Sequence, residues 1–252
     1  MIISYDGTGY VGWQRQSNGI SIQEALEIAL SEITGDCITI HGSGRTDSGV
    51  HAKAQVAHFD TCVRMSPDKF AIALNMHLPP DIRVLYSEEC DPSFHARFSA
   101  KKKQYRYSIH FGPHSDVFSR YTALQLHRYP SIELMQRAAE DVLGTHDFRA
   151  FMSTGTTIEN TTRMIEESIW EKDQSFLIYS VTGTGFLYNM VRILVGTMLE
   201  IGYGKLPASA LSHALFSLDR KDAGPTAPAN GLILNRVIYD DFDTEEILSR
   251  AR

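Results

Sequence analysis

The sequence predicts an α+β chain made of two ferredoxin-like, RRM-like βαββαβ units, each an antiparallel sheet backed by helices. Three observations carry that expectation. Runs of β-branched and aromatic residues alternate with helical stripes in the order strand, helix, strand, strand, helix, strand. The same order recurs in the second half, in pattern rather than in residue identity, and capping or turn residues separate the runs. The boundary falls near Ser99, giving domains 1–98 and 99–252.

In the first half, residues 2–5 open as a strand. After a Gly-rich loop, the capping box S-I-Q-E starts a helix at Ser21, with Ala25, Leu26, Ala29 and Leu30 as its apolar stripe. Strands are expected at 37–41 and 55–59. Ser66 as cap and Pro67 in the first turn begin a second helix, and a strand at 82–86 closes the unit.

The second half opens with a strand at 104–109, followed by a helix over 131–143 that Gly144 ends. Strands at 163–170 and 175–181 flank the turn Lys172-Asp173-Gln174. Helices over 186–200 and 207–218 precede a last strand at 232–239.

Bulk properties narrow the function classes. At 252 residues with a 43% apolar share, the chain can bury a proper core. No run approaches the roughly eighteen apolar residues a membrane span needs, and M-I-I-S-Y-D lacks the basic and apolar segments of a signal peptide. A cytoplasmic protein with no membrane partner is expected. Cys37, Cys62 and Cys90 are odd in number and never form C-x-x-C, so they read as reduced and structural.

The fold decides nothing about function, since RNA-binding modules and many unrelated proteins share it. Residues 44–52 read G-R-T-D-S-G-V-H-A and place Asp47 in the loop between the second and third strands, among Gly42, Gly44 and Gly49. Glycines there let the backbone turn sharply and approach a ligand, although an isolated acid in such a loop is more often an Asx-turn or a cap. A second residue favours the ligand reading. Residues 183–199 carry Arg192 as their only charge, and a helix apolar on nearly every side is buried. A buried guanidinium needs an anion, Gly196 one turn on leaves room beside it, and its central position disfavours snorkelling to the surface. Asp47 is the obvious partner, because an adjacent cation keeps a carboxylate ionised. The tripeptide D-S-G also occurs in aspartic proteases, but these need two acids sharing a proton, and no second D-[ST]-G is present. Arg45 would also spoil such a dyad.

The net charge of −6 argues weakly against nucleic acid, but a binding site is local. Between Asp91 and Asp116 there is no acid, while Arg97, Lys101, Lys102, Lys103 and Arg106 fall inside that window. A solvated edge strand is the bland reading. Strand alternation in K-K-K-Q-Y-R-Y-S-I sets Tyr105 and Tyr107 on one face and Gln104 and Arg106 on the other, and rings beside cations suit a base-stacking, phosphate-tracking surface. Tyr107 also fits a core position. Neither H-E-x-x-H nor the H-x-E plus P-C-x-x-C of zinc deaminases occurs, so neither metal nor cofactor is expected.

The whole chain resembles the tRNA pseudouridine synthase A family. The resemblance runs through Y-D-G-T-G-Y-V-G-W-Q, G-R-T-D-S-G-V-H-A, L-N-M-H-L-P-P-D-I-R-V, F-H-A-R-F-S-A-K-K-K-Q-Y-R-Y, D-F-R-A-F, G-F-L-Y-N-M-V-R and G-P-T-A-P-A-N-G-L. It implies a central RNA-binding cleft, Asp47 as catalytic aspartate, Tyr105 as the base-stacking ring, Arg192 as the partner of the aspartate, and Arg45 in the place of the flipped base. It also implies uridines on the 3′ side of the tRNA anticodon stem-loop as substrates, bound across a homodimer, and no DNA. Asp47 would attack C1′ or C6, or deprotonate the sugar. His51 and His58 are phosphate or structural contacts. Ser43 and Ser48 depart from the usual alanine, and Ala54 from a frequent glycine. A non-catalytic RNA-binding module would share the basic strand and the tyrosines; only an isomerase needs the Asp47 and Arg192 pairing.

Overall fold

The computed structural model describes residues 1–153 and 158–250. Among them are ten strands and six α-helices, a mixed α/β fold. The chain begins with β1 (Ile2–Tyr5), α1 (Ile22–Thr34), β2 (His41–Gly42), β3 (His51–His58), α2 (Lys69–His77) and β4 (Ile82–Tyr86). It continues with β5 (Lys102–Phe111), β6 (Leu124–Leu126), α3 (Ile132–Glu140), β7 (Gly144–Asp147), β8 (Thr162–Asp173) and β9 (Phe176–Gly183). Last come α4 (Met190–Gly202), α5 (Ala210–Ser217), β10 (Leu232–Ile238) and α6 (Thr244–Arg250). Backbone proximity divides the chain into two compact units, Met1–Lys103 with Ile233–Arg252, and Gln104–Leu232. No helix among the described residues is long and apolar enough to cross a membrane.

In the first unit the strands run β4-β1-β3-β10. β1 is antiparallel to both β3 and β4, whereas β10 lies parallel to β3, with Ile233 beside His51 and Leu234 beside Ala52. The expectation of a purely antiparallel sheet is corrected here. Parallel neighbours cannot be joined by a tight turn, and the last strand of the chain, which the sequence reading assigned to the second unit, takes this place. The strand expected at 37–41 is likewise reduced to the two residues of β2. The Ile40 amide instead donates to Glu27 Oε1 at 3.1 Å, and its carbonyl accepts from Gln23 Nε2 at 3.3 Å, so α1 takes the hydrogen bonds a strand would have used.

The capping box at the start of α1 forms: Ser21 Oγ accepts from the Glu24 amide at 3.1 Å, and Gly35 ends the helix with φ 78°. Leu26, Ala29 and Leu30 are buried, as their spacing requires, with Ile22 beside them. α2 starts at Lys69 rather than at Ser66-Pro67, because Ser66 Oγ donates to Asp68 Oδ1 and its carbonyl accepts from Lys69 N, forming a turn before the helix.

In the second unit the order is β5-β9-β8-β7, with β6 parallel along the end of β5. The β8–β9 hairpin closes at Asp173 and Phe176, and its turn puts Gln174 at φ 51°. α3 ends at Glu140; Gly144, at φ 96°, turns the chain into β7 instead of capping the helix directly. α4 begins at Met190, four residues later than its apolar run suggests, because Asn189 adopts φ 62° and stops the helix from extending backwards.

Candidate active site

Asp47 stands in the loop between β2 and β3, as the sequence predicts. Ser43 and Thr46 are buried, Arg45 is exposed, and Asp47 is half-buried. The platform beneath is the segment after β1, whose string Y-D-G-T-G-Y-V-G-W carried the resemblance but no assigned role. The Trp13 amide donates to Thr46 O at 3.1 Å, and Tyr10 O accepts from the Gly49 amide at 3.3 Å and from Ser48 Oγ at 3.2 Å. Gly12 has φ 101°, and a side chain there would start 2.7 Å from Thr46 O, so only glycine lets the two segments meet. Trp13 itself packs near the ring of Tyr5, with centroids 6.1 Å apart.

Asp6 anchors the same platform. Burial pushes its carboxyl up, but the Thr8 hydroxyl and amide, at 2.5 and 2.9 Å, outweigh this and hold it below the ordinary value. His51 is buried, its Nδ1 accepting from the Gly7 amide at 3.1 Å and lying 3.1 Å from Asp6 Oδ1. His58 accepts from the Ala96 amide at 3.2 Å and packs against the rings of His41 and His95. Both histidines therefore take the structural reading rather than the phosphate one.

The second unit holds Tyr105 and Arg192. Tyr105, on β5, is 6% exposed, with its ring perpendicular to that of Phe186 at a centroid distance of 5.0 Å. Tyr107 proves to be core: it is fully buried, its hydroxyl donates to Pro228 O at 2.9 Å, and burial raises its pKa against the opposing charge of Arg192. The opposite face of β5 is also covered at Gln104, whose amide donates to Glu167 Oε2 at 2.9 Å.

Arg192 is half-buried and lies in the first turn of α4, not in its centre. The helix starts late, so the cation sits at the end where the helix dipole disfavours it, which strengthens its need for acceptors. Two are Ala227 O, 2.7 Å from Nε, and Asn189 Oδ1, 2.7 Å from Nη1. Asn189 in turn donates to Ser153 Oγ at 2.7 Å. Gly196 has a different task from the one its position suggested. A Cβ there would stand 1.8 Å from Pro225 O, so the glycine admits the segment 224–231 against α4 rather than making room for the guanidinium. That segment was legible only as a string; its role as the support of Arg192 and Tyr107 needed coordinates.

The basic window is not acid-free in space. Lys101 Nζ meets Asp240 at 2.9 Å, an acid from just beyond β10. Lys103 Nζ donates to Ser43 O at 2.6 Å, reaching the Asp47 loop. Arg97 is exposed and lies 5.7 Å from the centroid of the Phe98 ring, which is 76% exposed. Arg106 is half-buried, with Nε lacking a hydrogen-bond partner among the described residues. The three cysteines are free and exposed, not packed in the core.

A family profile described as tRNA pseudouridine synthase matches residues 1–99 and 138–240, and the chain belongs to that family. It is thereby an isomerase that converts uridine in tRNA to pseudouridine. Within the family the likeness is to proteins named tRNA pseudouridine synthase A. That of Shouchella clausii is 46% identical over 238 residues, covering 94% of this chain and 91% of its own. The one from Acetivibrio thermocellus is 44% identical over 239 residues, 95% of this chain and 98% of its own. Among solved structures, the archaeal box H/ACA sRNP Nop10–Cbf5 complex matches at 12% identity and a TM-score of 0.35, over 80% of this chain and 44% of that one.

Proposed function

We propose that the uridines isomerised lie on the 3′ side of the tRNA anticodon stem-loop and that Asp47 is the catalytic aspartate. The reaction breaks the N1–C1′ bond, turns the uracil and joins C5 to C1′, with no net change in atoms or electrons. Asp47 serves it as a nucleophile at C1′ or C6, or as the base that deprotonates the sugar.

The observation that carries this reading is how the loop is fixed. Ser43, Gly44, Thr46, Ser48 and Gly49 are all tied to β1, β3 or the segment after β1. The loop is thus held by the residues around Asp47, which presents its half-buried carboxylate from a fixed backbone.

Arg192, its guanidinium held by Ala227 O and Asn189 Oδ1, supplies the positive charge the reaction uses, and Tyr105, its ring held by Phe186, is the base-stacking side chain. Exposed Arg45 fills the space left by the flipped nucleotide, offsetting part of an unstacking cost of a few kcal/mol. Arg97, Lys101, Lys102 and Arg106 serve the phosphate backbone, while Lys103, whose ammonium donates to Ser43 O, braces the loop of Asp47. A cytoplasmic location and a homodimer complete the reading.

Incubating undermodified tRNA with the protein and mapping each new pseudouridine tests it. Products confined to the 3′ side of the anticodon stem-loop support the substrate assignment. Products only in other arms overturn it, and an unchanged rate for Asp47→Asn overturns the catalytic one.

A further inference from the structure

A buried polar network lies directly under residues 43–46. Gln55 on β3 is completely buried, and both ends of its side-chain amide are used. Oε1 accepts from Ser43 Oγ at 2.6 Å, while Nε2 donates to Gly44 O at 2.9 Å and lies 3.5 Å from Tyr5 Oη. Tyr5 on β1 completes the frame: its hydroxyl pairs with Thr46 Oγ1 at 2.8 Å, within a site so enclosed that burial pushes its pKa up to about 12. Lys103 adds a third support through Ser43 O. Register explains why the two side chains meet the same loop: Ile3 stands opposite Gln55 and Tyr5 opposite Ala52 on the paired strands β1 and β3.

We propose that Gln55 and Tyr5 are positioning residues for the isomerisation, holding the backbone of residues 43–46 so that Arg45 and Asp47 are presented in fixed register to the nucleoside. This rests on the reading of Asp47 as the catalytic aspartate. The chemistry of the amide is what the site requires. Position 55 must offer an acceptor and a donor on neighbouring atoms, because Ser43 supplies a hydroxyl hydrogen and Gly44 a carbonyl oxygen. A carboxylate would turn its second oxygen against Gly44 O, and an apolar residue would leave that carbonyl and the Ser43 hydroxyl unpaired in the interior. The Ser43 contact needs a hydroxyl, so it is a brace that alanine could not supply. Loop displacement matters because misplacement of a reacting group by about 1 Å costs on the order of a hundredfold in rate.

The test uses single-turnover pseudouridine formation at saturating tRNA, tRNA affinity and thermal melting, on the parent, Gln55→Glu, Tyr5→Phe, Ser43→Ala and Asp47→Asn. The expected result for Gln55→Glu is a folded protein with tRNA affinity within about twofold of the parent and a rate that depends on the protonation of the new side chain. Burial raises a carboxyl pKa, and below that value the neutral acid presents a donor and an acceptor as the amide does. The rate should therefore approach that of the parent at low pH and fall about 10- to 100-fold as pH rises through the new titration, a limb absent from the parent. Tyr5→Phe should lower the rate about tenfold with unchanged affinity, and Ser43→Ala by less. Equal rates and pH profiles for folded Gln55→Glu and parent overturn the positioning role, as does a rate loss matched by equal loss of affinity or of folding. Asp47→Asn separates the two readings: if it retains turnover, the catalytic assignment fails, whereas a dead Asp47→Asn beside an unperturbed Gln55→Glu rejects this inference alone.

Discussion

Asp47→Asn keeps the shape of the side chain and removes its charge. Because Ser43, Thr46, Ser48 and Gly49 hold the loop, the variant should fold, melt close to the parent and bind tRNA, yet form no pseudouridine. Turnover within tenfold of the parent, measured on undermodified tRNA, would remove Asp47 from the chemistry. Arg192 is expected to behave differently, since its guanidinium also holds Ala227 O and Asn189 Oδ1. Arg192→Met leaves Ala227 O and Asn189 Oδ1 without their donor, at a cost of about 1–3 kcal/mol in a melt, and slows turnover besides. Arg192→Lys should recover stability better than rate, since an ammonium cannot reproduce the planar guanidinium fork. A lysine variant as fast as the parent would show that only a positive charge is needed there.

Within the elements, one close backbone approach and one hydrogen-bonded carboxylate fix the segments around Arg192 and beneath Asp47. α4 and the segment 224–231 touch so closely that Gly196→Ala would drive a methyl group to 1.8 Å from Pro225 O, and Ala227 N and Arg192 O are already joined at 3.0 Å. Overpacking of this kind costs about 1–3 kcal/mol, and because the segment also carries the acceptor of Arg192, the variant should lose turnover along with melting temperature. A variant with both unchanged would mean that the segment can withdraw freely. At the platform after β1, Asp6 has a folded-state pKa below its ordinary value, so its contribution to stability is present above the unfolded value of about 3.9 and is lost as pH falls through the folded one. Asp6→Asn should therefore melt below the parent at neutral pH, and the difference should shrink in acid below about pH 4. A constant difference from neutral to strongly acidic pH would show that the charge of Asp6 is not what holds Thr8.

For the molecule as a whole, the negative net charge of −6 coexists with a basic window, so tRNA binding should be local and salt-sensitive. Replacing Arg97 and Lys102 by Gln should flatten the logarithmic dependence of affinity on salt by roughly 0.7–0.9 for each phosphate that is no longer neutralised. Lys103→Met should leave that slope nearly unchanged and act on turnover instead, because its ammonium serves Ser43 O. Equal slope changes for all three would return Lys103 to the phosphate backbone. Titrating affinity against salt for each variant decides between them.

What the sequence determined by itself was what local chemistry encodes. The cap at Ser21, the stripe of Leu26 and Leu30, the turn at Gln174 and the alternation that buries Tyr105 and Tyr107 all follow from residues within a few positions of one another. The motif strings around Asp47 and Arg192 likewise sufficed for the family, since they are contiguous. β6, β7 and α6 escaped notice because each is short and carries no sustained apolar period. Only the tertiary structure decided that β10 lies parallel to β3, that Lys101 meets Asp240, and that Lys103, Tyr5 and Gln55 converge on the loop of Asp47. Periodicity assigns a residue to a face, but partners far apart in sequence are chosen by strand register and by which buried donor meets which acceptor.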